Sequence, residues 1–199
     1  ARILSSLFDI KEVVKVLDYF EERENAYIVM EFVQGISLRQ YLESRNQPMS
    51  FTEAWNFLLP VMEALEKVHQ NKLIHRDISP DNFIIKEDGS IKLLDFGSAR
   101  EYAEEKTMTV LVKKGYAPPE QYSRKGKQGP WTDIYSICAT LYEMITGVIP
   151  QPAMERLKAD KLYLPSSYGC DITPLQEKIL MKGLALDYKK RYKDIAELK

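Results

Sequence analysis

His75-Arg76-Asp77-Ile78-Ser79-Pro80-Asp81-Asn82 is the stretch on which the reading of this chain turns. Two shorter runs follow it in order, Asp95-Phe96-Gly97 and Ala117-Pro118-Pro119-Glu120. Taken alone, the first run is good loop chemistry, because Ser, Pro, Asp and Asn all favour turns. Turn chemistry does not explain why three such runs stand in this order and at this spacing.

Outward from that stretch, hydrophobic periodicity supplies the scaffold. Residues 13–20 and 26–32 are rich in β-branched and aromatic side chains and predict two strands around a charged turn at 21–25. Gly35 breaks the second strand. Ser37 with Gln40 reads as a capping box opening a short helix to about residue 45, and Ser50 with Glu53 reads as another. Behind the second, Phe51, Trp55, Leu58, Met62, Leu65 and Val68 recur at helical spacing, which predicts a long buried helix to His69. Asp88-Gly89 between two apolar triplets signals a hairpin. Residues 131–146 read as an apolar central helix stopped by Gly147, Thr173-Pro174 opens a further helix, and Asp194 caps a last one.

Composition excludes several classes. The chain has 199 residues, 45% of them hydrophobic, enough for one packed domain. Its 28 basic and 29 acidic residues nearly cancel, so no global field points to nucleic acid. Cys138 and Cys170 stand far apart with no metal-like spacing, and free thiols in a reducing cytoplasm are expected. No apolar run reaches the ~18 residues a membrane span needs. The first residue is Ala1 rather than Met, so the start is expected to be a boundary within a longer chain.

The three runs together resemble the catalytic half of a eukaryotic-type serine/threonine protein kinase, with a bacterial cast in Pro118-Pro119-Glu120-Gln121-Tyr122. The resemblance covers essentially the whole chain. It implies an α+β, mainly α fold: a kinase-like large lobe with two small-lobe strands and short hairpins at the catalytic site. Residues 1–199 form one partial domain, with 1–32 the remnant of the small lobe, 33–36 the hinge and 37–199 the large lobe, truncated at its C-terminal end. It also implies ATP and Mg²⁺ as cofactors and serine or threonine hydroxyls of a protein substrate as acceptors.

The resemblance assigns roles residue by residue. Asp77 is the base for the acceptor hydroxyl, and Asn82 and Asp95 hold Mg²⁺ with hard oxygen donors. Met30-Glu31-Phe32-Val33 is the adenine hinge: Met30 guards the back pocket, the backbone at Glu31 and Val33 bonds the purine, and Ile84 forms the floor. His75 and Phe96 join Leu4 and Val16 in a supporting apolar stack. Arg76 either grips a phosphorylated Thr107 or Thr109 or pairs with a fixed carboxylate. Glu120 pairs with Arg191, and Asp133 accepts hydrogen bonds from the catalytic loop. Arg124, Lys125 and Lys127 form a small basic cluster, read as a solvated loop.

Two departures stand out. Ala1 aligns just after the helix glutamate of the family, so that glutamate, the ATP-anchoring lysine and the glycine-rich loop are absent from these residues, and the isolated chain is expected to be inactive. Ser79 stands where the family carries Lys, and Lys113 where it carries Thr. A reciprocal exchange would bring the Lys113 ammonium to Asp77 or Ser79; a solvent-facing Lys113 is the alternative. The rival functions are a pseudokinase-type binding scaffold and a small-molecule kinase of the same fold. Neither a nucleic-acid partner nor a membrane is expected for this segment. Dimerisation through the exposed small-lobe face is.

Overall fold

The computed structural model describes residues 10–23, 25–95, 100–101, 112–123 and 125–199. Phe96, Thr107, Thr109, Arg124 and residues 1–9, Leu4 among them, lie outside this set.

The chain opens with an antiparallel hairpin, β1 (Val16–Glu22) and β2 (Asn25–Met30), joined through Arg23 at φ 47°. The first strand starts later than its composition suggests. Val13 and Val14 are buried, and they turn inward to bridge Leu93 instead of extending the hairpin. The second strand ends at Met30, where the Glu31 N–H donates to the Lys15 carbonyl and the chain leaves the sheet. Residues 31–35 then cross to β3 (Ile36–Ser37), which pairs with β5 (Phe83–Ile85), itself paired with β6 (Ile91–Leu93). Gly35 is required at the crossing: a Cβ there would lie 2.1 Å from the Ile85 carbonyl oxygen.

The helices carry the core. Ser37 caps α1 (Leu38–Ser44) in a complete capping box with Gln40. Ser50 caps α2 (Phe51–Gln70) by accepting from the Glu53 N–H, and Leu58, Met62, Leu65 and Val68 on its inner face are fully buried. Burying each such side chain contributes about 1.5–3 kcal/mol. Next comes β4 (Leu73–Ile74), paired with β7 (Arg100–Glu101). The central helix α3 (Pro130–Thr146) is buried at every residue from 132 to 146 and ends at Gly147 with φ 72°, a left-handed cap. Helix α2 packs against it on one side and α5 (Pro174–Gly183) on another. The short helices α4 (Ala153–Arg156) and α6 (Ile195–Leu198), the latter capped by Asp194, close the base. The architecture is α+β and mainly α, with strands confined to the hairpin and to the loops around the site.

Candidate active site

The loop after β4 is held from below by α3. Asp133 is fully buried, and its carboxylate accepts from the backbone N–H groups of His75 and Arg76 and from His69 Nε2, each at 2.8 Å. Burial alone would raise the pKa of this carboxyl, but the His69 hydrogen bond and the neighbouring donors outweigh it and hold it below the usual range. Gln121, in the short turn Pro119–Tyr122, donates to the Arg76 carbonyl at 2.7 Å. Arg76 itself sits at φ 74°, a left-handed conformation that a non-glycine residue adopts only under local constraint.

Above this anchor the proposed catalytic groups are tied to one another. Asn82 Nδ2 donates to the Asp77 carbonyl at 2.6 Å and to Asp77 Oδ2 at 2.9 Å. The Leu94 N–H donates to the Asn82 carbonyl. His75 completes the circuit. Its Nε2 donates to the Leu94 carbonyl at 2.8 Å, and its Nδ1 accepts from the Asp77 N–H at 3.2 Å. Those partners require a neutral ring with its proton on Nε2. Burial pushes the His75 pKa down, against the opposing pull of Asp133, Asp77 and Asp95. Asp95 follows immediately, exposed and at φ 59°. His75 thus braces Asp77 against the strand end that presents Asp95. Of the apolar stack expected around it, Leu4 and Phe96 lie outside the described residues.

Among the described residues no cluster of three or more His, Cys, Asp or Glu side chains could hold a metal. The Asn82 amide nitrogen is spent on Asp77, so its oxygen, with the carboxylate of exposed Asp95, is the donor set that would hold Mg²⁺. Mg²⁺ is commonly held by one or two protein ligands rather than by an all-protein cage.

The hinge segment is strapped from behind. Glu31 Oε1 accepts from the Lys15 N–H at 2.8 Å and pairs with Lys92 on β6, and these contacts hold its carboxyl below the usual pKa despite partial burial. With its side chain turned to Lys92 and its N–H given to Lys15, Glu31 keeps its backbone carbonyl for a ligand. Val33 packs on the core, Met30 is 41% exposed rather than a core residue, and Ile84 is half-buried on β5.

Lys113 does not go where the exchange with Ser79 would take it. Its Nζ lies 2.5 Å from Asp81 Oδ2. Asp77 Oδ2 already accepts from Asn82, and Ser79 is fully buried, its Oγ without a hydrogen-bond partner among the described residues. Asp81, on the turn Pro80–Asn82, remains within reach with its side chain 42% exposed. Arg39 Nε, from α1, approaches the other oxygen of the same carboxylate at 3.6 Å. Together the two cations keep the Asp81 pKa low against the effect of burial.

Glu120 and Arg191 form a buried two-pronged pair, at 2.7 and 3.1 Å. Arg191 also donates to the carbonyls of Ala185, Leu186 and Trp131, so its remaining N–H groups are bonded too. Lys125 and Lys127 are exposed. Sequence reasoning passed over His69, Gln121, Arg39 and Glu143. Each reaches the site from a different element, and of the four only Gln121 falls within a quoted run. Asp81 lies inside the quoted stretch and could have been weighed there.

Comparison with known proteins follows the same lines. The family model for the protein kinase domain matches residues 1–182. Serine/threonine-protein kinase PrkC of Bacillus subtilis is 33% identical over 206 residues, covering 98% of this chain and 31% of that protein. Serine/threonine-protein kinase PknB of Mycolicibacterium smegmatis is 32% identical over 185 residues, covering 87% and 29%. The chain therefore spans about a third of the length of the curated relatives it matches. A solved structure titled "PpkA-294 apo form" superposes with a TM-score of 0.80 at 31% identity, over 99% of this chain and 70% of that one.

Proposed function

The chain belongs to the protein kinase domain family, and from that premise we propose that the full-length protein transfers the γ-phosphoryl group of ATP to serine or threonine hydroxyls of a protein substrate. The observation that supports this reading is the closed circuit of Asp77, Asn82, Leu94 and His75, which ties the Asp77 carboxylate to Asn82 and to the strand end that leads into Asp95.

In this reading Asp77 orients the acceptor hydroxyl and takes its proton as the hydroxyl oxygen bonds to the γ-phosphorus. The bond from phosphorus to the bridging oxygen of the β-phosphate breaks, and ADP leaves. Asn82 and Asp95 hold Mg²⁺, which when bound supplies charge neutralisation at the phosphate oxygens. The backbone of Glu31 and Val33 receives the adenine between Met30 and Ile84. Arg76 either receives a phosphate carried by Thr107 or Thr109, which lie outside the described residues, or pairs with a fixed carboxylate. Lys113, fixed by Asp81, adds positive charge at the acceptor edge rather than on Asp77.

Two free thiols, Cys138 and Cys170, and a dependence on ATP favour the cytoplasm. No helix of the described residues is long and apolar enough to cross a membrane. The β1–β2 hairpin, with Leu17, Phe20 and Tyr27 exposed, is suited to self-association of the isolated 199 residues.

Incubation of the full-length protein with γ-labelled ATP, Mg²⁺ and a general protein substrate tests the reading. Label is expected on serine or threonine and is expected to disappear with EDTA. Tight ATP binding without transfer would replace the reading by a binding scaffold. Label on an aminoglycoside or choline in place of protein would replace it by a small-molecule kinase.

A further inference from the structure

Arg39 sits in the first turn of α1, two residues after the strand that ends the hinge crossing. It is the hub of a network reaching three other parts of the molecule. Its Nη1 donates to Glu143 Oε1 on α3, and its Nη2 lies 3.4 Å from Glu143 Oε2. The same Nη2 donates to the Tyr116 hydroxyl at 2.6 Å, and that hydroxyl in turn donates to Glu143 Oε2. On its third side, Arg39 Nε faces Asp81, which holds Lys113. Glu143 and Tyr116 are buried, so these bonds form in a low-dielectric setting where they are strong and costly to lose. The backbone of Tyr116 is docked as well, its carbonyl accepting from Ser136 Oγ on α3 at 2.9 Å.

Among the described residues, one guanidinium thus bonds α1 to Tyr116 in the segment 112–117 and faces the Asp81 that holds Lys113. That segment flanks the acceptor side of the loop bearing Asp77, since Lys113 is clamped to Asp81, four residues after the base. We infer that Arg39 is a positioning residue for the protein substrate, locking segment 112–117 onto α3 and onto the catalytic loop so that the acceptor edge of the cleft is formed before the substrate arrives. Only arginine suits the position, because its planar fork serves Glu143 and Tyr116 together while Nε turns to Asp81; a lysine ammonium cannot span all three. The inference rests on the phosphotransfer reading above.

Steady-state kinetics of the full-length protein, with ATP and protein substrate varied separately, test it. Arg39→Met alone strands a buried carboxylate at Glu143 and destabilises the fold. The decisive variant is therefore Arg39→Met combined with Glu143→Met and Tyr116→Phe, which removes both charges together with the buried hydroxyl they satisfy. Its thermal midpoint is expected to stay near wild type. Its KM for protein substrate is expected to rise about tenfold or more, as the loss of a charge-assisted hydrogen bond implies, while KM for ATP barely moves. Arg39→Lys should fall between. Backbone amide exchange over residues 112–117 should quicken in both variants. A merely structural role would change both KM values together, or neither, and either result overturns the inference. So does amide exchange unchanged from wild type, whatever the kinetics. A wild-type protein that transfers no phosphate would instead overturn the phosphotransfer reading, and this inference with it.

Discussion

His75 shows how much one side chain can settle. Its two ring nitrogens have opposite tasks, Nε2 giving a proton to the Leu94 carbonyl and Nδ1 accepting the Asp77 N–H, and a protonated ring could not do both. Burial depresses its pKa from 6.5. In the unfolded chain the ring takes up its proton near 6.5, so between that pH and the depressed folded value the unfolded state binds more protons. The stabilisation from a neutral His75 is then fully present above 6.5 and is lost as pH falls through the window below it. Denaturant midpoints for the wild type and His75→Gln between about pH 5 and pH 8 check this. The wild type is expected to lose stability more steeply on the acid side, and parallel curves would contradict it; His69 is common to both proteins and cancels. At this scale the sequence was legible wherever chemistry was local. Asp77, Asn82 and Asp95 stand in two nearby runs, and their roles came from the resemblance those runs carry. Arg39, His69, Gln121 and Glu143 were not legible, because each meets the site only through the folded chain. Lys113 was expected at Asp77 or Ser79 and stands instead on Asp81, a pairing that spacing along the chain does not reveal.

Elements were legible where a terminus carries its own signal. Ser37, Ser50, Thr173 and Asp194 each accept the expected backbone N–H, and Gly147 takes the left-handed turn that ends α3. Strand edges were not, because Val13 and Val14 suit a strand and a core equally well, and the neighbouring β6 decides between them. Joints between elements depend on buried charge. Glu120, on the turn Pro119–Tyr122, is tied to Arg191, whose side chain is completely buried. Glu120→Ala leaves that guanidinium without its counter-charge and should cost about 3–5 kcal/mol in urea unfolding. Replacing the pair by Glu120→Leu with Arg191→Met should recover only part of it, because the carbonyls of Ala185, Leu186 and Trp131 lose their donor. A loss below about 1 kcal/mol for Glu120→Ala would mean the pair behaves like an exposed surface bridge.

For the molecule as a whole, α3 acts as the keel. Asp133 near its start holds the catalytic loop, Ser136 and Glu143 further along hold Tyr116, and α2 and α5 pack on its flanks. The hinge crossing, the loop with Asp77 and the segment at Lys113 are thus referred to one buried helix, which suits a reaction that depends on positioning more than on covalent chemistry. The measurement that tests this account most directly is single-turnover transfer of labelled γ-phosphate to a protein substrate by the full-length protein, by its Asp77→Asn variant and by its Asp95→Asn variant. Asp77→Asn is expected to slow transfer by about 10²–10⁴-fold while leaving Mg²⁺-dependent ATP binding in place, because the base acts on the acceptor. Asp95→Asn is expected to abolish Mg²⁺-dependent transfer and to weaken Mg²⁺-dependent ATP binding as well. Near-wild-type transfer by both variants would contradict the account.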